Sequence, residues 1–519
     1  MRNFTVADLL YERADASSEA SSRVALKFQD RSLTYAELDA RASELAAGLR
    51  RAGFRKGERV ATLLYNCVEW VELFFAIAKL GGTLVPINYY IASPELAFIL
   101  EDAEATWLVS EAALWPIVDG AAELGPPRRN VSIGERQADA LFYDDLFRGD
   151  RLDLSDAAEE DLFLLQYTSG TTGRPKGAMH THSTVLWNSY HQLPDFGIGS
   201  DSVVLGIPAL CWAAGLHDFA LAVLIAGGTF VLNPSTSFDP DEFGRTMERE
   251  RVSHVLLVPT VLRRVVASGV LDRHDLSSLR VVISGGEPVP VDTMAAFHEQ
   301  LPSTQVIQVF GMSEFPTIML WLDPRYAEAK RGSTGKACSI ATVRVVDEDG
   351  RETPAGEVGE IVCRSPACAL GYYGKPEASE ALWKGGWMHS GDLAYRDEDG
   401  FIFIAGRSKD MFISGGLNVY PAEVERVLAE LPGVVEAAVV GVPDDDWGEV
   451  GEAFVVVDAD DPVSPEALAS GARERLAPFK VPKLWTLQTD PLPRTVSGKL
   501  TKKDLREGSR AGRDVSTTS

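Results

Sequence analysis

Between residues 33 and 88 the chain switches repeatedly between two hydrophobic periods. Leu38, Ala42, Leu45 and Leu49 recur at helical spacing and stop near Gly53, which predicts a helix over 33–51, while the short apolar run 59–65 predicts a buried strand. A second helix is predicted over 69–80, closed by Gly81 and Gly82, and a second strand over 83–88. This alternation is the signature of an α/β protein. Comparable strands are predicted at 203–208, 229–232, 254–259, 280–284 and 306–310. Several end in Gly, Pro or polar residues, where open α/β sheets place their ligands.

From about Gly335 the pattern shortens to β-like segments divided by Asp-Gly and Gly-Gly turns, and this predicts a β-rich subdomain. A new alternation follows Gly406: a helix over 421–431, strands over 437–442 and 453–457, and a helix over 465–476. The expected architecture is therefore α/β. A large N-terminal domain of several subdomains with mixed sheets covers 1–405, its β-rich part at 335–405. A junction at 406–410 leads to a small α+β C-terminal domain at 411–507, and a polar, frayed tail is expected at 508–519.

At 519 residues the chain exceeds what one core sustains, so two or more domains are expected. Its formal charge of −25 repels polyanions, which argues against nucleic acid or an anionic membrane surface as partner. Cys67, Cys211, Cys338, Cys363 and Cys368 are scattered, without CxxC spacing, and read as reduced thiols. The N-terminus lacks a basic stretch followed by an apolar run. The most apolar stretch, 219–232, falls short of the ~20 residues of a spanning helix and contains Gly227 and Gly228. A cytoplasmic protein without a membrane span is expected.

The chemistry is concentrated in YTSGTTGRPKG, residues 167–177, directly after an apolar run. Its glycines, Gly170 among them, let the backbone approach an anion. The hydroxyls of Thr168, Ser169, Thr171 and Thr172 can donate to phosphate oxygens, and Lys176 supplies a point charge. The spacing differs from the P-loop, which needs four residues between its glycines, whereas Gly170 and Gly173 enclose two.

This run resembles the phosphate loop of the adenylate-forming superfamily, which comprises acyl-CoA synthetases, peptide-synthetase adenylation domains and beetle luciferases. Further segments resemble its motifs in the same order. In FGMSE the resemblance puts Phe310 and Gly311 at adenine, the Ser313 hydroxyl on a phosphate oxygen, and Glu314 on Mg2+. SGGEP resembles the adenine-binding turn and brings in Gly285, Gly286 and Glu287. HSGD resembles the segment whose carboxylate, here Asp392, takes the ribose hydroxyls. GRSKD resembles the linker motif, with Arg407 at ribose or phosphate and Lys409 as hinge. PRTVSGKL resembles the C-terminal catalytic loop, with Lys499 reaching carboxylate and α-phosphate.

The resemblance implies an acyl-CoA synthetase using ATP, Mg2+ and CoA, with a mobile C-terminal domain. Gly415 and Gly416 would pass the pantetheine arm, and Trp447, Phe479 and Lys480 would touch CoA. The acid pocket would form around 208–215 and the residues after Phe310. Trp212, Ala213, Ala214 and Met312 make it apolar, and Ala214 stands near the position of the Asp that binds an α-ammonium in amino-acid-activating domains. A fatty, aryl or alicyclic acid is therefore expected. Phe310, Ser313 and Ser390 replace the commoner Tyr, Thr and Thr, and Trp212 stands where many ligases have His. Two alternatives remain: an acyl-AMP ligase loading a carrier protein, or an adenylate-binding homologue performing only thiol transfer. A homodimer is a family-level expectation.

Overall fold

The helix–strand alternation resolves into two large sheets in a computed structural model that describes residues 4–124, 128–152, 157–168, 174–234, 238–286, 289, 291–458, 463–494 and 500–514. The first has seven strands, in the order Ala140–Phe142, Arg129–Ile133, Trp107–Glu111, Arg59–Leu63, Thr83–Pro86, Leu162–Thr168 and Lys176–Thr181. The second has nine. Its parallel core runs Gln305–Phe310, Val281–Gly285, His254–Leu256, Val203–Gly206, Thr229–Leu232 and Val24–Phe28, with antiparallel strands at both edges.

Local chemistry explains the element ends. Thr34 caps the helix Tyr35–Arg51, its side chain accepting from the Glu37 N–H while Glu37 reaches back to the Thr34 N–H, so the helix starts two residues after the expected position. Gly81, at φ +63°, closes the helix Val68–Leu80. The strand expected over 254–259 stops at Leu256, because Pro259 opens the helix Pro259–Ala267. Helix Val68–Leu80 is buried nearly all round, and its two inward charges are paired: Lys79 with Asp39 at 2.8 Å, and Glu72 with Arg41 and the Tyr143 hydroxyl.

The chain divides into two compact units, residues 1–343 with 363–388, and residues 344–362 with 389–519. Within the expected β-rich stretch, 344–362 and 389–405 group with the C-terminal residues. In the second unit the long antiparallel pair Val434–Asp444 and Gly448–Val457 carries Phe412–Ser414 and Leu417–Val419 on one side, with Leu484–Gln488 parallel to Gly448–Val457. The chain end departs from expectation: residues 508–514, read as frayed, continue the helix Lys502–Asp514. Leu505 is buried in that helix, and the buried Ser509 hydroxyl donates to Glu452, an anchorage too sparse to register as an apolar period. Among the described residues no helix is long and apolar enough to cross a membrane.

Candidate active site

Leu162–Thr168 and Lys176–Thr181 pair antiparallel with Thr168 opposite Lys176, so the described ends of the glycine- and hydroxyl-rich motif face each other across the two strands. Ser169, Gly170, Thr171 and Thr172 lie outside the described residues. The Tyr167 ring lies against Gly177, where an added Cβ would meet it at 2.9 Å, and its hydroxyl donates to Asp102 at 2.8 Å. Lys375 also binds Asp102. The motif's base is thus pinned by Tyr167, packed on Gly177 of the facing strand and bonded to Asp102.

The outer strand Lys176–Thr181 recruits a distant segment. Tyr373 N–H donates to Gly177 O, Met179 N–H to Gly371 O, and Leu370 N–H to Met179 O, each at 2.9 Å. This pairing delivers Tyr372, whose ring lies 5.2 Å from the Lys176 ammonium and whose hydroxyl donates to Glu314 Oε1 at 2.8 Å. The Thr168 hydroxyl donates to the same oxygen at 3.2 Å. Glu314 is 5% exposed and has two hydroxyl donors but no ion-pair partner among the described residues. Burial, followed by the nearby Glu314 charge, raises the Tyr372 pKa well above its usual value and keeps the phenol a donor. A buried carboxylate held by hydroxyls, with no cation of its own, is the donor set a hard divalent ion takes.

Beside Glu314, Ser313 is positioned through its backbone: His180 Nε2–H donates to the Ser313 carbonyl at 2.8 Å. Burial pushes His180 down to about 4, so the ring is neutral at ordinary pH. The preceding Gly311 is required by packing, since a Cβ there would stand 2.2 Å from the Thr317 carbonyl oxygen. Phe310 ends the strand Gln305–Phe310 half-buried. On the neighbouring parallel strand, Gly285 lies opposite Val309, and a Cβ would meet the Val309 carbonyl at 2.6 Å. Gly286 follows at φ +89°, and Glu287 lies outside the described residues. Both segments sit at the carboxyl ends of parallel strands, the usual ligand edge of such sheets.

The segment expected to wall the acid pocket is anchored by Gln166, whose Nε2 donates to the Cys211 carbonyl at 3.0 Å. Trp212 and Ala214 are half-buried and Ala213 is buried, at the start of the short helix Ala213–Leu216, and Met312 is half-buried in the loop after Gly311. Trp321 packs edge-on to Phe196 with ring centroids 5.7 Å apart.

In the second unit Asp392 and Arg407 face each other across paired strands, Arg407 Nε lying 3.2 Å from Asp392 Oδ1. HSGD lies within the strand Trp387–Arg396, bent by Gly391 at φ +71°. Ser390 donates to the Ile361 carbonyl at 2.7 Å and caps the Asp392 N–H at 3.0 Å. Lys409 is exposed in the turn after Arg407. Gly415 and Gly416, at φ +59° and +80°, form the two-residue turn of the hairpin Phe412–Val419. Trp447 covers that turn: a Cβ on Gly415 would lie 2.7 Å from its ring, and the Gly415 N–H donates to the Trp447 carbonyl at 2.8 Å. Trp447 is 42% exposed, and the Lys483 ammonium stands 3.8 Å above its ring, so it is a surface platform rather than a core residue. Lys480 is engaged by Glu423 at 2.7 Å, with Phe479 alongside. Lys499 lies outside the described residues; Arg494 and Leu500 form an isolated bridge.

A family model described as AMP-binding enzyme matches residues 13–373, and one described as AMP-binding enzyme C-terminal domain matches 423–499. The chain belongs to the AMP-binding enzyme family. This is the adenylate-forming superfamily that the motifs resemble. A feruloyl-CoA synthase of Amycolatopsis sp is 40% identical to this AMP-binding enzyme over 506 residues, 98% of this chain and 99% of its own. An indoleacetate–CoA ligase of Aromatoleum aromaticum is 34% identical over 503 residues, 93% of this chain and 95% of its own. The crystal structure of the anthranilate CoA ligase AuaEII in complex with anthranoyl-AMP has a TM-score of 0.89 at 30% identity, covering 99% of this chain and 98% of that one. These full-length relatives are acid–CoA ligases, in agreement with the expected ATP-dependent acyl-CoA synthetase.

Three residues of this AMP-binding enzyme's site escaped the sequence reading: Tyr372, His180 and Lys483. The paired aromatics of GYYG at 371–374 were the available signal for Tyr372. Nothing in their spacing links them to Glu314.

Proposed function

We propose that the protein activates an aryl carboxylic acid with ATP as the acyl-adenylate, releasing pyrophosphate, and passes the acyl group to CoA. The observation that carries this reading is the Glu314 carboxylate, buried beside the phosphate-loop strands and held by the Thr168 and Tyr372 hydroxyls. The aryl preference draws on the feruloyl, indoleacetate and anthranilate named for the relatives, and on the apolar residues at Trp212, Ala213, Ala214 and Met312.

In the proposed reaction the acid's carboxylate attacks the α-phosphate, so two anions must meet and negative charge grows on the phosphate oxygens. The barrier is mostly electrostatic, and no protein nucleophile is needed. Lys176 and the loop hydroxyls Ser169, Thr171 and Thr172 take phosphate oxygens, and Lys499 takes the acid's carboxylate and the α-phosphate. Phe310 stacks on adenine beside Gly285, Gly286 and Glu287, and Ser313 donates to phosphate. Asp392 accepts the ribose hydroxyls, with Arg407 oriented by it. Glu314 would hold magnesium, which when bound would neutralise charge on the phosphates. A pivot at 406–410, with Lys409 as hinge, divides the 1–405 domain from the 411–507 domain and exchanges the two half-reactions. Gly415, Gly416 and Trp447, with Phe479 and Lys480, receive the pantetheine thiol. The enzyme works in the cytoplasm as a homodimer. A carrier-protein thiol as acceptor is the second reading.

The test is pyrophosphate release with ATP and magnesium across aryl, fatty, alicyclic and amino acids, with and without CoA. Release driven by an aryl acid, with a CoA thioester as product, is the expected result. Release without a CoA thioester would move the acceptor to a carrier protein, and silence across the panel would overturn the adenylation itself.

A further inference from the structure

The two segments expected to wall the acid pocket are apolar by sequence, yet a carboxyl lies between them. Asp218 follows the short helix Ala213–Leu216, four residues and about one helical turn beyond Ala214. Its Oδ1 accepts from the Thr317 hydroxyl, and Thr317 belongs to the loop that begins with Gly311 and Met312. Asn188, on the helix His182–Tyr190, fixes Thr317 from behind. Its Oδ1 accepts the Thr317 N–H at 3.0 Å, and its Nδ2 donates to Thr317 Oγ1 at 3.1 Å. The Thr317 hydroxyl lies 3.2 Å from Asn188 Oδ1 as well, but its shorter contact is to Asp218 Oδ1, which takes its one proton.

Asp218 is 7% exposed, and its Oδ2 takes no hydrogen bond or cation among the described residues. Burial pushes the carboxyl up to about 7, with Thr317 pulling the other way. Its backbone neighbourhood is also costly. Phe219, the next residue, stands at φ +70°, ψ −41°, a region few side-chain-bearing residues enter. Gln192 imposes it, accepting the Phe219 N–H at 2.8 Å and donating to the His217 carbonyl at 2.9 Å. A half-used, buried carboxyl held by strained backbone is expensive for stability alone, which directs attention to a ligand.

We propose that Asp218 and Thr317 form a polar end of the acid pocket, which binds a hydroxyl or amino substituent on the ring of the acid. Asp218 Oδ2 accepts the substituent's proton and Thr317 keeps Oδ1 in place. Asp218 is thereby a specificity-determining residue for the ligase reaction, and this reading rests on the function proposed above.

The experiment compares kcat/KM for matched pairs of aryl acids, each ring-hydroxylated or ring-aminated acid against its unsubstituted parent, in the full-length enzyme and in Asp218→Asn and Asp218→Leu. A buried hydrogen bond left unmade predicts a wild-type preference of roughly 5- to 150-fold for one substituted acid. Asp218→Leu should bring that ratio to about one or invert it. Should the leucine variant fail to fold, as judged by its melting transition, the near-isosteric Asp218→Asn and the wild-type ratio decide. A wild-type ratio near one for every pair, or a ratio unmoved in Asp218→Asn, overturns the proposal while leaving the ligase reading intact. Absence of pyrophosphate release with any acid overturns both.

Discussion

Replacing Tyr372 by Phe removes one oxygen from the site and little else. The ring stays near Lys176, 5.2 Å away, and the backbone of 370–373 keeps its pairing with the strand Lys176–Thr181. The loss is the 2.8 Å bond to Glu314 Oε1, leaving the 3.2 Å bond from Thr168 as the one described donor to that carboxylate. A hydrogen bond to a charged group contributes about 1.5–3 kcal/mol, and at 5% exposure water is poorly placed to replace it. That range converts to roughly 10- to 150-fold in an equilibrium. If the hydroxyls orient Glu314 for a divalent ion, the deficit will appear in magnesium dependence. The magnesium concentration giving half-maximal pyrophosphate release should rise by about this factor in Tyr372→Phe, with KM for the acid little changed. Thr168→Val should act in the same direction but less, and the double variant should fall short of additivity because both hydroxyls act on one oxygen. Unchanged magnesium midpoints in both single variants, alongside an inactive Glu314→Gln, would refute the reasoning.

Two further outcomes follow from the same geometry. Gly311→Ala puts a Cβ 2.2 Å from a backbone oxygen, so the loop carrying Met312, Ser313 and Glu314 must move by about 1 Å. A cost of about 1–3 kcal/mol in urea unfolding and a fall in pyrophosphate release are expected, and a wild-type rate would show that this packing does not place the loop. Burial lowers His182, stacked on Phe163 at 4.4 Å, and His254 from 6.5 to about 4. Folded, both stay neutral where the unfolded chain takes up protons, so stability present above pH 6.5 is lost as pH falls toward 4. Each contributes at most about 1.4 kcal/mol per pH unit. Asp218, raised by burial from 3.8 to about 7, opposes one of them over that window, and the two histidines, joined by His180 at about 4 and His217 at about 3, outweigh it. Urea midpoints at pH 7, 6 and 5 should therefore decline, and a flat or rising series would count against neutral buried rings.

What the chain disclosed without its fold was chemistry carried by contiguous residues. The run 167–177 is legible because an anion bound by backbone demands glycines and hydroxyls at successive positions, so the requirement is written locally. Helix ends were legible for the same reason, since Gly81 acts within one turn. Tertiary structure alone decided the contacts that complete the candidate site: Tyr372 with Glu314 across 58 residues, Asp218 with Thr317 across 99, and His180 with Ser313 across 133. It also decided that Trp447 lies exposed over the Gly415 turn, and that 344–362 and 389–405 group with the C-terminal residues. Such pairs arise from strand register and crossover connections, which bring single side chains together without leaving a period or a spacing in the sequence.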